Sequence, residues 1–254
     1  MQSKKPEHLK NQFFDINKFP KEEGILLFPI SMSRISNSQT APIYIEFLKG
    51  FLKKISAPKI GVNILYGDYL YLHSSEKAAI LKNTFMHQVV NHKNALQKLI
   101  FKNRIDFQIQ HGFSYMNWGD LYFGITSFPE LFDKIKKIYN KDKLFQKYLK
   151  EDCAAFKKRI SQNQINFFLE EHLMTYLLTK GQIKLPNEYI LGREQWILSC
   201  YPGKPPKGMV YLFQLNPLKL SNPKNPYENC PTYDLKDKKL YDANNIDLAT
   251  YDPR

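Results

Sequence analysis

Residues Gly24–Ser36 read GILLFPISMSRIS, an apolar run closed by a proline and followed by a hydroxyl-rich turn. Ile25, Leu26, Leu27 and Phe28 show no polar alternation, as expected of a strand covered on both faces in a parallel sheet. In open α/β sheets, ligands bind beyond the carboxyl ends of the strands, and Ser31, Ser33 and Ser36 fall there. Two readings of Ser31 are open at this point: a nucleophile delivered by the strand, or the N-cap of the next helix.

The surrounding pattern extends the unit. Gln39–Lys54 carries Ile43, Phe47, Phe51 and Leu52 at helical spacing and stops at Ala57-Pro58. KIGVNILY at Lys59–Tyr66 reads as a second strand, giving the βαβ rhythm of a doubly wound, mostly parallel sheet. No G-x-G-x-x-G or Walker-type loop joins strand to helix, which argues against ordinary dinucleotide or nucleoside triphosphate binding. The chain of 254 residues divides into a polar leader at 1–22, one α/β domain at 23–216 and an irregular tail at 217–254 rich in Asn, Pro, Lys, Asp and Tyr.

Thirty-seven Lys and Arg against 24 Asp and Glu give a net charge of +13. That excess suits a polyanionic partner, nucleic acid before a membrane surface, or reflects a Lys-rich proteome. The helical pattern over Ser75–Ile105 sharpens the choice. Phe85, Val89, Leu96, Leu99 and Ile100 share one face, while His87, Lys93, Lys98, Lys102 and Arg104 spread over the other and Lys82 sits at the boundary. With no acidic partner on that face until Asp106, the strip suits a phosphate backbone, though a solvated Lys face is equally ordinary.

Three dispersed cysteines without a CxxC pair indicate neither a disulfide framework nor a zinc site, so no metal is expected. No window approaches the ~20 apolar residues of a membrane span, and the charged N-terminus lacks a signal-peptide core. A cytoplasmic protein without a membrane partner follows.

Further along, Ile105–Gln110 alternates as a third strand, and HGFSYMNWGD at His111–Asp120 reads as an aromatic loop. Pro129–Lys150 reads as one or two Lys-bearing helices, and another begins near Glu151 and runs to Ser161. In the helix Gln164–Thr179, Glu170 and Glu171 sit among apolar residues; one facing inward would mark a site receiving a cation or proton, whereas two exposed acids are the plainer pattern. Trp196–Pro202 reads as a strand ending at Tyr201, and Gly208–Leu215 as another strand.

Three of these pieces, in this order, resemble the tRNA-dependent cyclodipeptide synthases. Ile30-Ser31-Met32-Ser33-Arg34 is similar to the strand-end motif of that family, with the nucleophilic serine at Ser31. Phe167-Phe168-Leu169-Glu170-Glu171 is similar to a helix pattern of tyrosine followed four residues later by glutamate, with Phe167 in place of the tyrosine and Glu171 sharing its helix face. Leu198-Ser199-Cys200-Tyr201-Pro202 resembles the strand bearing the catalytic tyrosine. Arg34, three residues after the serine, and Pro202, after the tyrosine, are similar to the subgroup that lacks an asparagine at the first place and carries a proline at the second.

The resemblance implies a Rossmann-like fold similar to the catalytic domain of class I aminoacyl-tRNA synthetases. It implies two aminoacyl-tRNAs as substrates, a cyclic dipeptide as product and no cofactor. Ser31, Glu171 and Tyr201 would be catalytic; Leu27, Ser33, Asn63, Phe167 and Pro202 would bind substrate; Lys82, Lys93, Lys98, Lys102 and Arg104 would bind tRNA; and the chain would act as a monomer. Backbone N–H groups of a helix N-terminus after Ser31 would stabilise an oxyanion. A non-catalytic RNA-binding domain and a serine hydrolase are the rival readings.

Overall fold

The structure, a computed structural model, describes residues 23–53, 59–73, 78–156, 160–180 and 196–254; the leader read at 1–22 lies outside them. Strand β1 (Gly24–Ile30) pairs in parallel with β2 (Ile60–Tyr66) on one side and with β4 (Trp196–Tyr201) on the other. The edges are completed by β3 (Phe113–Asn117), parallel to β2, and by β5 (Thr232–Asp234) with the antiparallel β6 (Lys239–Tyr241) beyond β4. The order β3-β2-β1-β4-β5-β6 is that of a Rossmann-type doubly wound sheet.

The central strand explains its own composition. Ile25 and Leu27 enter one core layer, while Leu26, Phe28 and Ile30 enter the other. The second layer is roofed by α1 (Ala41–Leu52) and α3 (Ala78–Lys102), where Phe85, Leu96 and Ile100 are buried as the periodicity predicts. The first layer is filled by α4 (Trp118–Gly124), α5 (Phe128–Lys141), α6 (Lys143–Ala155), α7 (Gln162–Thr179) and α8 (Lys207–Leu215). A short helix α2 (Asp68–His73) follows β2 directly.

Several boundaries differ from the sequence reading. The alternation at Ile105–Gln110 is a 3-10 turn at Asp106–Gln108 that buries Ile105 and Ile109 and leaves Phe107 81% exposed. The third strand is instead within the aromatic stretch, whose β-favouring Phe113 and Tyr115 suit a half-buried edge. Asp142 divides the Lys-bearing segment, its side chain accepting from the N–H groups of Leu144 and Phe145 to start α6, so that helix begins before Glu151. The segment read as irregular after residue 216 contributes β5 and β6, stitched in place by Asn225, which donates to the carbonyls of Thr179 and Ile197.

The run Gly208–Leu215, read as a strand, forms α8; a short continuous apolar run fits either element, and its ends decide. Pro206, extended, precedes the first turn, and Asn216 closes the helix in the left-handed region at φ 43°. The fully buried Asp152 carboxylate accepts from the N–H groups of Lys207 and Gly208, both at 2.7 Å. A Cβ on Gly208 would lie 2.7 Å from Leu149 and 3.0 Å from Asp152, so a larger residue would displace the side chains packed against this turn. Asp152→Ala would strand both donors, and urea unfolding is expected to show a loss of about 2–4 kcal/mol. A loss under about 0.5 kcal/mol would contradict this account of the α8 cap.

Candidate functional site

At the switch point between β1 and β4 the chain leaves the sheet in opposite directions, and a crevice opens at the strands' carboxyl ends. It is a cavity of about 910 Å³. Ser31 and Ser33 reach it from the turn after β1, Tyr71 from α2, Phe167 and Glu171 from α7, and Tyr201 and Pro202 from the end of β4. Leu27 and Ser199, neighbours in the β1–β4 register, line its base.

The turn that presents Ser31 is locked by one buried side chain. Residues 32–39 form successive turns and α1 starts only at Ala41, behind Thr40. Gln39 Oε1 accepts the Ser31 N–H at 2.6 Å, while its Nε2 donates to the Pro29 carbonyl at 2.7 Å and to the Tyr44 hydroxyl at 2.9 Å. The Gln39 carbonyl pairs with His92 Nε2 at 2.9 Å, and His92 Nδ1 pairs with Tyr66 at 3.1 Å. Burial holds the His92 imidazole below its ordinary range. This geometry corrects two expectations: Ser31 does not cap a helix, and the N–H groups just after it belong to a run of turns and not to a helix N-terminus; the Ser31 N–H itself is bound to Gln39.

The Ser31 hydroxyl is surrounded by other hydroxyls. Its Oγ lies 2.7 Å from the Tyr71 oxygen and 3.0 Å from Ser33 Oγ, and Tyr201 lines the same cavity. Burial pushes both phenols above the usual tyrosine range, with Glu171 adding to the rise, so both are neutral at neutral pH. Among the described residues no imidazole bonds to Ser31; His92 reaches its turn only through Gln39.

The two glutamates of α7 separate as the helix period requires. Glu170 is 2% exposed and accepts the Trp118 indole N–H at 2.7 Å. Glu171 lines the cavity, where burial raises its carboxyl above the ordinary value, opposed by the nearby His172 and Arg34. Arg34 spans the crevice: Nη1 donates to the Pro202 carbonyl at 3.2 Å, and the guanidinium carbon lies 5.3 Å from the centre of the Tyr201 ring. Gly203, at φ 143°, completes that turn, donating its N–H to Asp234 Oδ1 at 2.9 Å.

Of the residues singled out from sequence, Ser31, Ser33, Leu27, Phe167, Glu171, Tyr201 and Pro202 meet at this cavity. Asn63 does not line it; it lies within the sheet, between Leu27 and Ser114. Leu81 on α3 reaches the cavity wall, and from there the helix carries Lys82, Lys98 and Lys102 exposed along its outer face, with Arg104 just past its end. Lys93 is half-buried over the Tyr115 ring at 4.8 Å. Among the described residues none of these five is in an ion pair, whereas Lys136 pairs with Asp133 and Lys147 with Glu151 on α5 and α6. Tyr71 and Gln39 escaped the sequence reading. The signal for Tyr71 was its place just past β2, the strand beside β1, where a doubly wound sheet gathers its ligand groups.

Among the described residues no cluster of His, Cys, Asp or Glu is grouped to hold a metal, and no helix is long and apolar enough to cross a membrane. No family model matches the chain, and no curated protein matches it in sequence. Solved structures do resemble it in fold. A cyclodipeptide synthase from Fluoribacter dumoffii superposes with a TM-score of 0.55 at 17% identity, over 81% of this chain and 87% of that one. A Staphylococcus haemolyticus cyclodipeptide synthase gives 0.50 at 11% identity, over 80% and 87%. A Mycobacterium tuberculosis protein, whose structure demonstrates that cyclodipeptide synthetases are related to type I tRNA synthetases, gives 0.51 at 13% identity, over 80% and 82%. The chain thus has a mixed α/β fold, its six-stranded sheet parallel except at β6, similar to that of the cyclodipeptide synthases.

Proposed function

We propose that this protein is a cyclodipeptide synthase that joins two amino acids from aminoacyl-tRNAs by ping-pong acyl transfer through Ser31. The observation that carries the reading is the Ser31 hydroxyl, bonded to the Tyr71 and Ser33 hydroxyls at the carboxyl end of β1 and sharing one cavity with Tyr201 and Glu171. An aminoacyl-tRNA is an activated ester, so its transfer needs no phosphate-binding loop, in keeping with the hydroxyl-built turn. The similar fold of the solved synthases supports the same conclusion.

In this scheme Ser31 Oγ attacks the ester carbonyl and the tRNA leaves, giving an aminoacyl-serine. Glu171, anionic and facing the cavity, receives the substrate ammonium group. The amine of the second aminoacyl-tRNA attacks the aminoacyl-serine carbonyl, which frees Ser31 and leaves a dipeptidyl-tRNA. Ser31 Oγ then attacks that ester, the second tRNA leaves, and the free amine of the dipeptidyl-serine closes the ring with release of Ser31. Tyr201 relays the proton from that amine towards Ser31 Oγ. Leu27, Ser33, Phe167 and Pro202 shape the first substrate's pocket. Arg34 ties the serine turn to Tyr201-Pro202, donating to the Pro202 carbonyl and lying over the Tyr201 ring. The cations Lys82, Lys98, Lys102 and Arg104, with Lys93, guide the tRNA backbone towards the mouth at Leu81.

Incubation with charged tRNA is expected to release a cyclic dipeptide, and Ser31→Ala to abolish it. Tight tRNA binding without product would favour an RNA-binding domain, and tRNA-independent turnover of simple esters would favour a hydrolase. Joint charge reversal at Lys93, Lys98 and Lys102 is expected to weaken tRNA binding more than tenfold and to lower its salt slope by about 0.9 for each phosphate that the variant leaves unneutralised. Unchanged affinity would remove α3 from the tRNA surface. Because Glu171 must be ionised to hold an ammonium group and burial raises its pKa, activity is expected to fall on acidification at a higher pH than an ordinary glutamate would dictate. Glu171→Gln is expected to lower activity throughout and to erase that acid limb; an acid limb retained in the variant would reassign it.

A further inference from the structure

Tyr71 has no part in the scheme above, yet its hydroxyl makes the shortest contact to the nucleophile, 2.7 Å from Ser31 Oγ. Its ring is fixed from two sides, edge-on to Phe167 at 4.9 Å and to Phe85 at 6.0 Å between centres. The site therefore has a phenol on α2 that meets Ser31 from the side of the residue lacking one, Phe167 on α7. We infer that Tyr71 is a further catalytic residue, which donates a hydrogen bond to Ser31 Oγ and stabilises the negative charge that develops there when the dipeptidyl ester breaks.

The inference rests on the proposed acyl-transfer reading and follows from counting donors at one oxygen. A serine hydroxyl donates one hydrogen bond and accepts two. Once Ser31 is acylated it has no proton, so every hydroxyl bonded to Oγ must be the donor. In ring closure the amine nitrogen forms a bond to the dipeptidyl carbonyl carbon, the carbon–Oγ bond breaks, and its electron pair moves to Oγ. The amine proton passes through Tyr201 to that oxygen. Tyr71 keeps its own proton throughout and supplies a standing donor. Its phenol, raised by burial and by Glu171, is in the donating form at neutral pH.

The same bond affects the two half-reactions unequally. When Ser31 attacks the first ester, a donor to Oγ eases loss of the serine proton but also withdraws electron density from the attacking oxygen, and the two effects oppose one another. When Oγ leaves, the donor only helps. Removing it must therefore slow release more than acylation.

The test is rapid-quench kinetics on the full-length enzyme with charged tRNA, following the covalent adduct by intact mass and the cyclic product separately. Tyr71→Phe keeps the ring packed and removes only the hydroxyl. It is expected to slow ring closure, and the earlier departure of Oγ from the aminoacyl group, by about 100-fold or more while slowing acylation by less than about tenfold, so that acyl-enzyme accumulates. Equal slowing of both steps, or wild-type rates for both, would overturn the inference. Absence of any adduct in the wild-type enzyme would instead refute the proposed function itself, so the two failures are distinguishable. As a second measurement, 3,5-difluorotyrosine at position 71, a more acidic phenol, is expected to move the alkaline fall of ring closure to lower pH. An unchanged profile would exclude a donating role for Tyr71.

Discussion

The site depends on Gln39, whose wholly buried amide ties down the backbone that leads into the serine. It holds Pro29 in β1, the Ser31 N–H and the Tyr44 hydroxyl on α1 together, so the turn has little freedom to reorient. Loss of either half of that amide would leave a buried partner unsatisfied, worth about 1–3 kcal/mol for each group. His92 and Tyr66 buttress the same turn through the Gln39 carbonyl, linking β2 and α3 to the presentation of Ser31. The sheet places the serine at the switch point, and the glutamine fixes how it is turned.

Around Ser31 the chemistry is that of neutral hydroxyls, with the Glu171 carboxylate and the Arg34 guanidinium in the same cavity. Ser31 has the Tyr71 and Ser33 hydroxyls as partners and, among the described residues, no imidazole, an arrangement suited to an ester already activated by its leaving group. Arg34 couples the two halves of the Rossmann sheet by gripping the turn after β4 from the turn after β1. Glu171 and Glu170, adjacent in sequence, diverge in environment: one faces the cavity and the other locks Trp118 in the core.

Much of this was legible in the sequence because the physics was local. The unbroken Ile25–Phe28 run identifies a doubly buried strand, the period of α3 gives its inner face, and the four-residue interval puts Phe167 and Glu171 on one side of α7. Short apolar segments misled where both periods fit: Gly208–Leu215 became a helix through the distant Asp152 cap, and Ile105–Ile109 became a turn pinned by two isoleucines. Tyr71 and Gln39 were missed because their meaning lies in hydrogen bonds that span 40 and 8 residues of sequence. Asn63 shares its sheet face with Leu27 and Leu65, which line the cavity, but sits two residues before Leu65, further from the carboxyl end of β2.

The central claim is that Ser31 carries the acyl group. Peptide mapping of the enzyme quenched in acid after brief exposure to charged tRNA tests it most directly. The account predicts an aminoacyl or dipeptidyl mass on the peptide containing Ser31, located on that side chain by fragmentation and absent from uncharged-tRNA controls. Cyclic dipeptide formed with the acyl mass on another residue, or with Ser31 unmodified at every time point, would contradict it.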